Sequence, residues 1–149
     1  MVLLITAIAA TAAITYAVAR NTNAPTATPP PALQAPQFST AEQNAAKQQV
    51  CQVFDISTEG QKGQGGVRIN GEANLPLMVR SLNSAVAVQN ALTPATPRDV
   101  AEAARQYVDA NLKLTTAATG TTPIEEVNRL NGLANTATFA FADVCGLPH

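Results

Sequence analysis

The sequence predicts an all-α protein: an N-terminal transmembrane helix, a proline-rich linker, then an antiparallel four-helix bundle stapled by a disulfide. Three observations carry this expectation. The opening stretch, MVLLITAIAATAAITYAVA, contains no charged side chain, no proline and no glycine. A dense group of prolines follows it. Beyond the prolines, apolar residues recur at spacings of three and four between helix-start and helix-stop signals, and no run of four or more residues alternates as a strand.

Composition narrows the function classes. Nine Lys plus Arg stand against ten Asp plus Glu, a net charge of -1, so there is no basic footprint for nucleic acid or anionic lipid. Charged residues make up only 13% of the chain, about half the usual share. Hydrophobic residues reach 46%, but alanine supplies much of this and Trp is absent. Such a core is small, and covalent help to its stability is expected.

As a helix rising ~1.5 Å per residue, residues 1–19 span about 28 Å, close to the ~30 Å hydrocarbon core of a bilayer. Thr6, Thr11 and Thr15 can return their hydroxyls to the helix backbone. Ala17-Val18-Ala19 also fits the small-x-small pattern read by signal peptidase. The basic segment that should precede a signal's apolar run is missing, so a retained single-pass anchor is favoured over cleavage near Ala19. Arg20 alone would place the following domain in the cytoplasm. The two cysteines argue for the opposite side, with the C-terminal domain extracytoplasmic.

Residues 20–37 form the linker and hold five of the ten prolines. Pro29-Pro30-Pro31 is extended, because each ring fixes φ and restricts the preceding residue. The segment reads as a spacer that lifts the helical ectodomain, 38–146, off the membrane; 147–149 is a tail.

Four helices are expected in the ectodomain. Ser39-Thr40-Ala41-Glu42 is a capping box, and the helix it opens runs to about Glu59 with Ala46, Val50, Val53 and Phe54 inward. Asn74 caps a second helix with Pro76 in its first turn and an inward stripe of Leu75, Met78, Leu82, Ala85, Val86 and Leu92. Thr96-Pro97-Arg98-Asp99 opens a third, with Val100, Ala104, Tyr107, Val108 and Leu114 inward. Thr122-Pro123-Ile124-Glu125 opens the fourth by the same device, a threonine cap followed by proline at the first helical position. Its stripe is Val127, Leu130, Ala134, Ala137, Phe141 and Val144, and Gly146 and Pro148 stop it.

Cys51, Cys145 and the single histidine, His149, are the residues on which chemistry could be built. Structural zinc wants four ligands, and only carboxylates could complete this set. A catalytic thiol needs a base held in place, and His149 lies beyond Pro148 in a tail. The reading that survives is a Cys51–Cys145 disulfide in an oxidising compartment. Cys51 lies ~18 Å into the first helix, so the early turns of that helix should overhang the bundle as a thin stalk.

GQKGQGGVRING, residues 60–71, holds five of the eight glycines. It follows a helix rather than a strand and lacks a Lys-Ser/Thr pair, so it reads as a mobile connector and not a phosphate loop. Lys62 and Arg68 are its charges and, with Phe139 on the polar side of the fourth helix, are the candidate partner contacts. Glu125 and Glu126 point different ways on a helix and read as charges near its start.

The Ala/Thr-rich anchor, the TATPPP linker, the ectodomain opening STAEQNAAKQQVC and its closing DVCG together resemble the small alanine- and proline-rich single-pass membrane proteins of mycobacteria and related actinobacteria. The resemblance implies an envelope location and no established activity. The expected function is that of a non-enzymatic accessory protein binding a neighbouring membrane or envelope protein. The alternative is a carrier of a lipid or small apolar ligand held between alanine-faced helices. No catalytic residue, metal or cofactor is expected.

Overall fold

A computed structural model describes residues 37–59, 61 and 63–148. The expected anchor, the expected linker up to residue 36, Gly60, Lys62 and His149 lie outside the described residues. Four helices follow one another: α1 (Thr40–Glu59), α2 (Leu75–Ala91), α3 (Arg98–Thr119) and α4 (Ile124–Cys145). Between α1 and α2 sits a two-stranded antiparallel ribbon, β1 (Arg68–Ile69) and β2 (Glu72–Ala73). Among the described residues no helix is long and apolar enough to cross a membrane.

Helix starts follow local hydrogen-bond chemistry, with one correction. The capping box closes α1: the Ser39 N–H donates to Glu42 Oε2 at 2.7 Å, and the Glu42 N–H donates to Ser39 Oγ at 3.3 Å. Asn74 caps α2, its Oδ1 accepting from the Leu77 N–H at 3.4 Å. The threonine caps expected on α3 and α4 do not form. Pro97 and Pro123 occupy the cap positions in extended backbone, and neither end has a side-chain cap. The Thr96 hydroxyl instead accepts from the Thr93 N–H at 3.0 Å, closing the turn between α2 and α3. At the end of α4, Gly146 takes φ 68°, and the Leu147 N–H reaches back to the Ala142 carbonyl at 2.9 Å. That left-handed cap favours glycine because a Cβ would be strained there.

Helices α1–α2, α2–α3 and α3–α4 pack as successive neighbours; short connections turn the chain between α2 and α3 and between α3 and α4, while residues 60–74, with the ribbon, join α1 to α2. Helices α1 and α4 meet along a much shorter stretch. The interior divides into two apolar clusters. One gathers Val50, Phe54, Ala85, Val88, Val100, Ala104, Tyr107 and Phe141; the other gathers Val67, Met78, Leu114, Val127 and Ala134. In the first, rings from α1, α3 and α4 meet: Phe54 lies 5.0 Å from Tyr107, edge-on, and 4.4 Å from Phe141. Such ring pairs add about 0.5–1.5 kcal/mol beyond the area they bury.

The disulfide joins Cys51 of α1 to Cys145 of α4, with Cα atoms 5.5 Å apart. It crosses the seam where the two helices otherwise touch least. Residues 40–45 of α1 are exposed, and its buried face begins at Ala46. The overhang is therefore about a turn and a half, shorter than the three turns the position of Cys51 suggests.

The inward faces of α3 and α4 agree with expectation, but α2 is turned. Leu75, Leu82 and Val86, expected inside, face outward. Ser81, Ser84, Val88 and Ala91 take the interior beside Met78 and Ala85. The glycine-rich stretch also departs from a bare connector. Asn70 (φ 54°) and Gly71 (φ 86°) form the tight turn of the ribbon, both with the positive φ that a type I′ hairpin turn requires. Val67 is buried in the second cluster. The Asn74 side chain holds the segment down, its Nδ2 donating to the Gln64 carbonyl at 2.8 Å and to the Gly66 carbonyl at 3.0 Å.

Candidate functional site

Two surface features stand out once the helices are placed. The first is the outer face of α2. Leu75, Val79, Leu82 and Val86 are 58%, 56%, 43% and 45% exposed. At about 100° per residue these four positions fall within an arc of roughly 60°. Their spacings of four, three and four are those of a heptad seam, the pattern by which one helix receives another. Asn83, Gln89 and Asn90 are exposed on the same helix and border the arc. Arg80, the one charged residue of α2, falls outside it.

The reason this face points outward lies on the opposite side of α2. Ser84 is fully buried, and its Oγ lies 2.6 Å from the Tyr107 hydroxyl and 2.7 Å from Ser57 Oγ. These contacts tie α1, α2 and α3 through small polar side chains, so the three backbones come close together. Rotating α2 to bury Leu82 and Val86 would pull Ser84 out of that network. Burial pushes the Tyr107 hydroxyl above its ordinary value of 10.0, while its neighbours Ser84 and Gln61 act the other way.

The second feature is a cleft of about 500 Å³ lined by residues of all four helices and of the glycine-rich segment. Helix α1 contributes Phe54 and Thr58, α3 contributes Leu114 and Asn111, and α4 contributes Asn135 and Phe139. Gln61 and Gly65 bring the glycine-rich segment to its edge. The cleft borders both apolar clusters, so its lining mixes carbon with amides and hydroxyls. Among the described lining residues Asp55 is the one charged group. The Gln61 amide is held between two residues: Ser81 Oγ donates to its Oε1 at 3.4 Å, and its side chain also hydrogen-bonds Tyr107.

The contact candidates named from sequence are not brought together. Phe139 is 48% exposed and lies in the cleft lining. Arg68 lies in the ribbon, its Nη1 donating to the Gly71 carbonyl at 3.0 Å while its buried Nε has no partner. Both sulfurs are committed to the disulfide and serve neither as metal ligands nor as a thiol. Among the described residues there is no group of three His, Cys, Asp or Glu placed to hold a metal ion.

Sequence reasoning missed the α2 stripe, although a signal for it existed. Leu75, Leu77, Met78, Val79, Leu82, Ala85, Val86 and Val88 surround the helix, and a helix apolar on all sides has more than one face to cover.

A family model described as the Rv2240c four-helix bundle domain matches residues 72–146. The match runs from the second strand of the ribbon to the glycine cap of α4, so α1 and Cys51 precede it. No curated protein and no solved structure matches the chain.

Proposed function

The chain belongs to the Rv2240c four-helix bundle family, which carries a mycobacterial name, and from that premise we propose a non-enzymatic interaction domain of the cell envelope. Its outer α2 face receives an apolar helix of a neighbouring membrane or envelope protein. The single observation that carries this reading is the seam of Leu75, Val79, Leu82 and Val86, left open to solvent by a helix whose other side is already packed. Its heptad spacing suits a helix better than a strand. The absence of charge within the arc suits an uncharged partner face.

Tethering and location form part of the same proposal. Residues 1–19 serve as a single-pass anchor and 20–37 as a spacer, with the helical domain extracytoplasmic. The charge-free composition of 1–19 and a disulfide spanning 94 positions support this, because such bonds persist in oxidising compartments.

The test is photo-crosslinking from position 79 or 83 of the full chain in intact cells. A defined membrane or envelope protein should be captured from 79 and lost in Leu82→Asp with Val86→Asp. Capture that survives those charges, or none from position 79, removes the α2 face from the reading.

A further inference from the structure

The order of residue types along the α2 seam says what kind of helix fits it. In a heptad, d to a is four residues and a to d is three, so spacings of four, three and four allow one assignment. Leu75 and Leu82 stand at d, and Val79 and Val86 stand at a. Valine at a with leucine at d is the combination that favours two parallel strands over three or four. The next d position is Gln89, exposed like the four before it. In a parallel pair each d residue meets a d residue at its own height, so the Gln89 amide faces a second amide and can both donate and accept.

The flanks of the seam hold no ionic code. Salt bridges at e and g otherwise choose the partner of a paired helix. Here the e positions are Pro76, Asn83 and Asn90, and the g positions are Met78 and Ala85, both buried in the bundle. A second copy of the same seam therefore meets no like charge along it. Resting on the reading that α2 receives a helix, we propose that this helix is α2 of a second copy of the chain, in a parallel pair about a two-fold axis. Such an axis leaves the two Phe38 residues, one at the start of each bundle, at the same end of the pair, as two chains tethered in one membrane require. Four half-exposed side chains make a small patch beside the ~800 Å² per partner of a standard interface. The pair is weak between free chains and gains from the high effective concentration of a shared membrane.

The test places a photo-crosslinking side chain at position 86 of the full-length chain, irradiated in phosphatidylcholine vesicles and in intact cells. An adduct of twice the chain mass should form in both, with position 86 joined to residues 82–89 of the second copy. Leu82→Glu and Leu82→Lys should each reduce it about tenfold or more when alone. Mixing the two variants should restore it, because d meets d in a parallel pair. Circular dichroism should show each variant folded, since Leu82 is half exposed. A join from position 86 to residue 75, or no recovery on mixing folded variants, overturns the parallel pair. Crosslinking in cells to a different protein alone overturns self-pairing and leaves α2 as a helix-binding face. No adduct in either setting removes both.

Discussion

The Ser84 Oγ lies 2.6 Å from the Tyr107 hydroxyl oxygen, inside a bundle whose α2 helix carries leucine and valine on its outside. That one contact links packing to surface. Small serines allow α2 to sit close against α1 and α3, and the hydrogen bonds through Ser57 and Tyr107 satisfy the hydroxyls that such packing buries. The larger side chains of α2 are left on the other face, where they can meet a partner. Helix α2 thus trades some hydrophobic burial for a fixed rotation about its own axis.

Replacing Tyr107 by Phe tests the inner side of that arrangement. Ser84 keeps Ser57 as a partner, while the buried Gln61 amide loses its contact with the hydroxyl, and the loss should be about 1–3 kcal/mol at neutral pH. The pH dependence is sharper. The folded Tyr107 hydroxyl titrates above its ordinary value of 10.0, so its contribution is fully present below pH 10. As pH rises past that value the unfolded chain releases the proton first, and stability falls until the folded group also ionises. Urea unfolding followed by circular dichroism should show an alkaline decline in the parent chain that Tyr107→Phe makes shallower. Equal slopes in both would remove the buried hydroxyl from the account.

The disulfide should dominate the stability of α1. It closes a loop of sequence separation 94 across the seam where α1 and α4 touch least. The chain-entropy relation gives about 4–5 kcal/mol for such a loop. Cys51→Ala with Cys145→Ala should lose an amount of that order in denaturant unfolding. Hydrogen exchange should locate the damage: amides of α1 around Val50 lose protection before those of α3, which stays packed between α2 and α4.

Surface and interior valines of α2 should separate cleanly in a stability measurement. Leu82→Ser with Val86→Ser removes half-exposed side chains and should leave the unfolding free energy of the domain within about 0.5 kcal/mol. Val88→Ser buries a hydroxyl where a fully enclosed methyl pair stood and should cost roughly 2–4 kcal/mol. Thermal unfolding of the two variants side by side checks the rotation of the helix directly. Equal losses would mean that α2 turns its leucines inward in solution.

Legibility in the sequence follows how many faces an element must bury. Helices α3 and α4 carry one apolar stripe each, so Val100, Ala104, Tyr107 and Phe141 can be placed from spacing alone. Helix α2 is apolar around most of its circumference, and periodicity cannot choose between a stripe with Leu82 and one with Ser84. The choice is made by Tyr107 and Ser57, which are remote in sequence. The ribbon escapes because two-residue strands show no alternation, although Asn70-Gly71 is itself a hairpin turn signal. The disulfide is legible because only two cysteines exist. The cleft is not, since residues of all four helices and of the glycine-rich segment line it, a property of no single segment.

Asn74 makes the last case, because one side chain serves two structures. Its Oδ1 caps α2 at the Leu77 N–H, while its Nδ2 holds the Gln64 and Gly66 carbonyls of the glycine-rich segment. Asn74→Ala removes all three hydrogen bonds and should cost about 2 kcal/mol or more, above the ~1 kcal/mol of an ordinary cap. Asn74→Asp separates the roles. A carboxylate still caps the helix and suits its positive end, yet it offers no donor and sets a negative charge against two carbonyl oxygens. That variant should keep α2 while releasing the segment, so that amide exchange accelerates around Val67 and hardly changes within α2. If exchange rises equally in both places, cap and clamp act as one unit, and the segment before β1 has no hold on the bundle separate from the helix start.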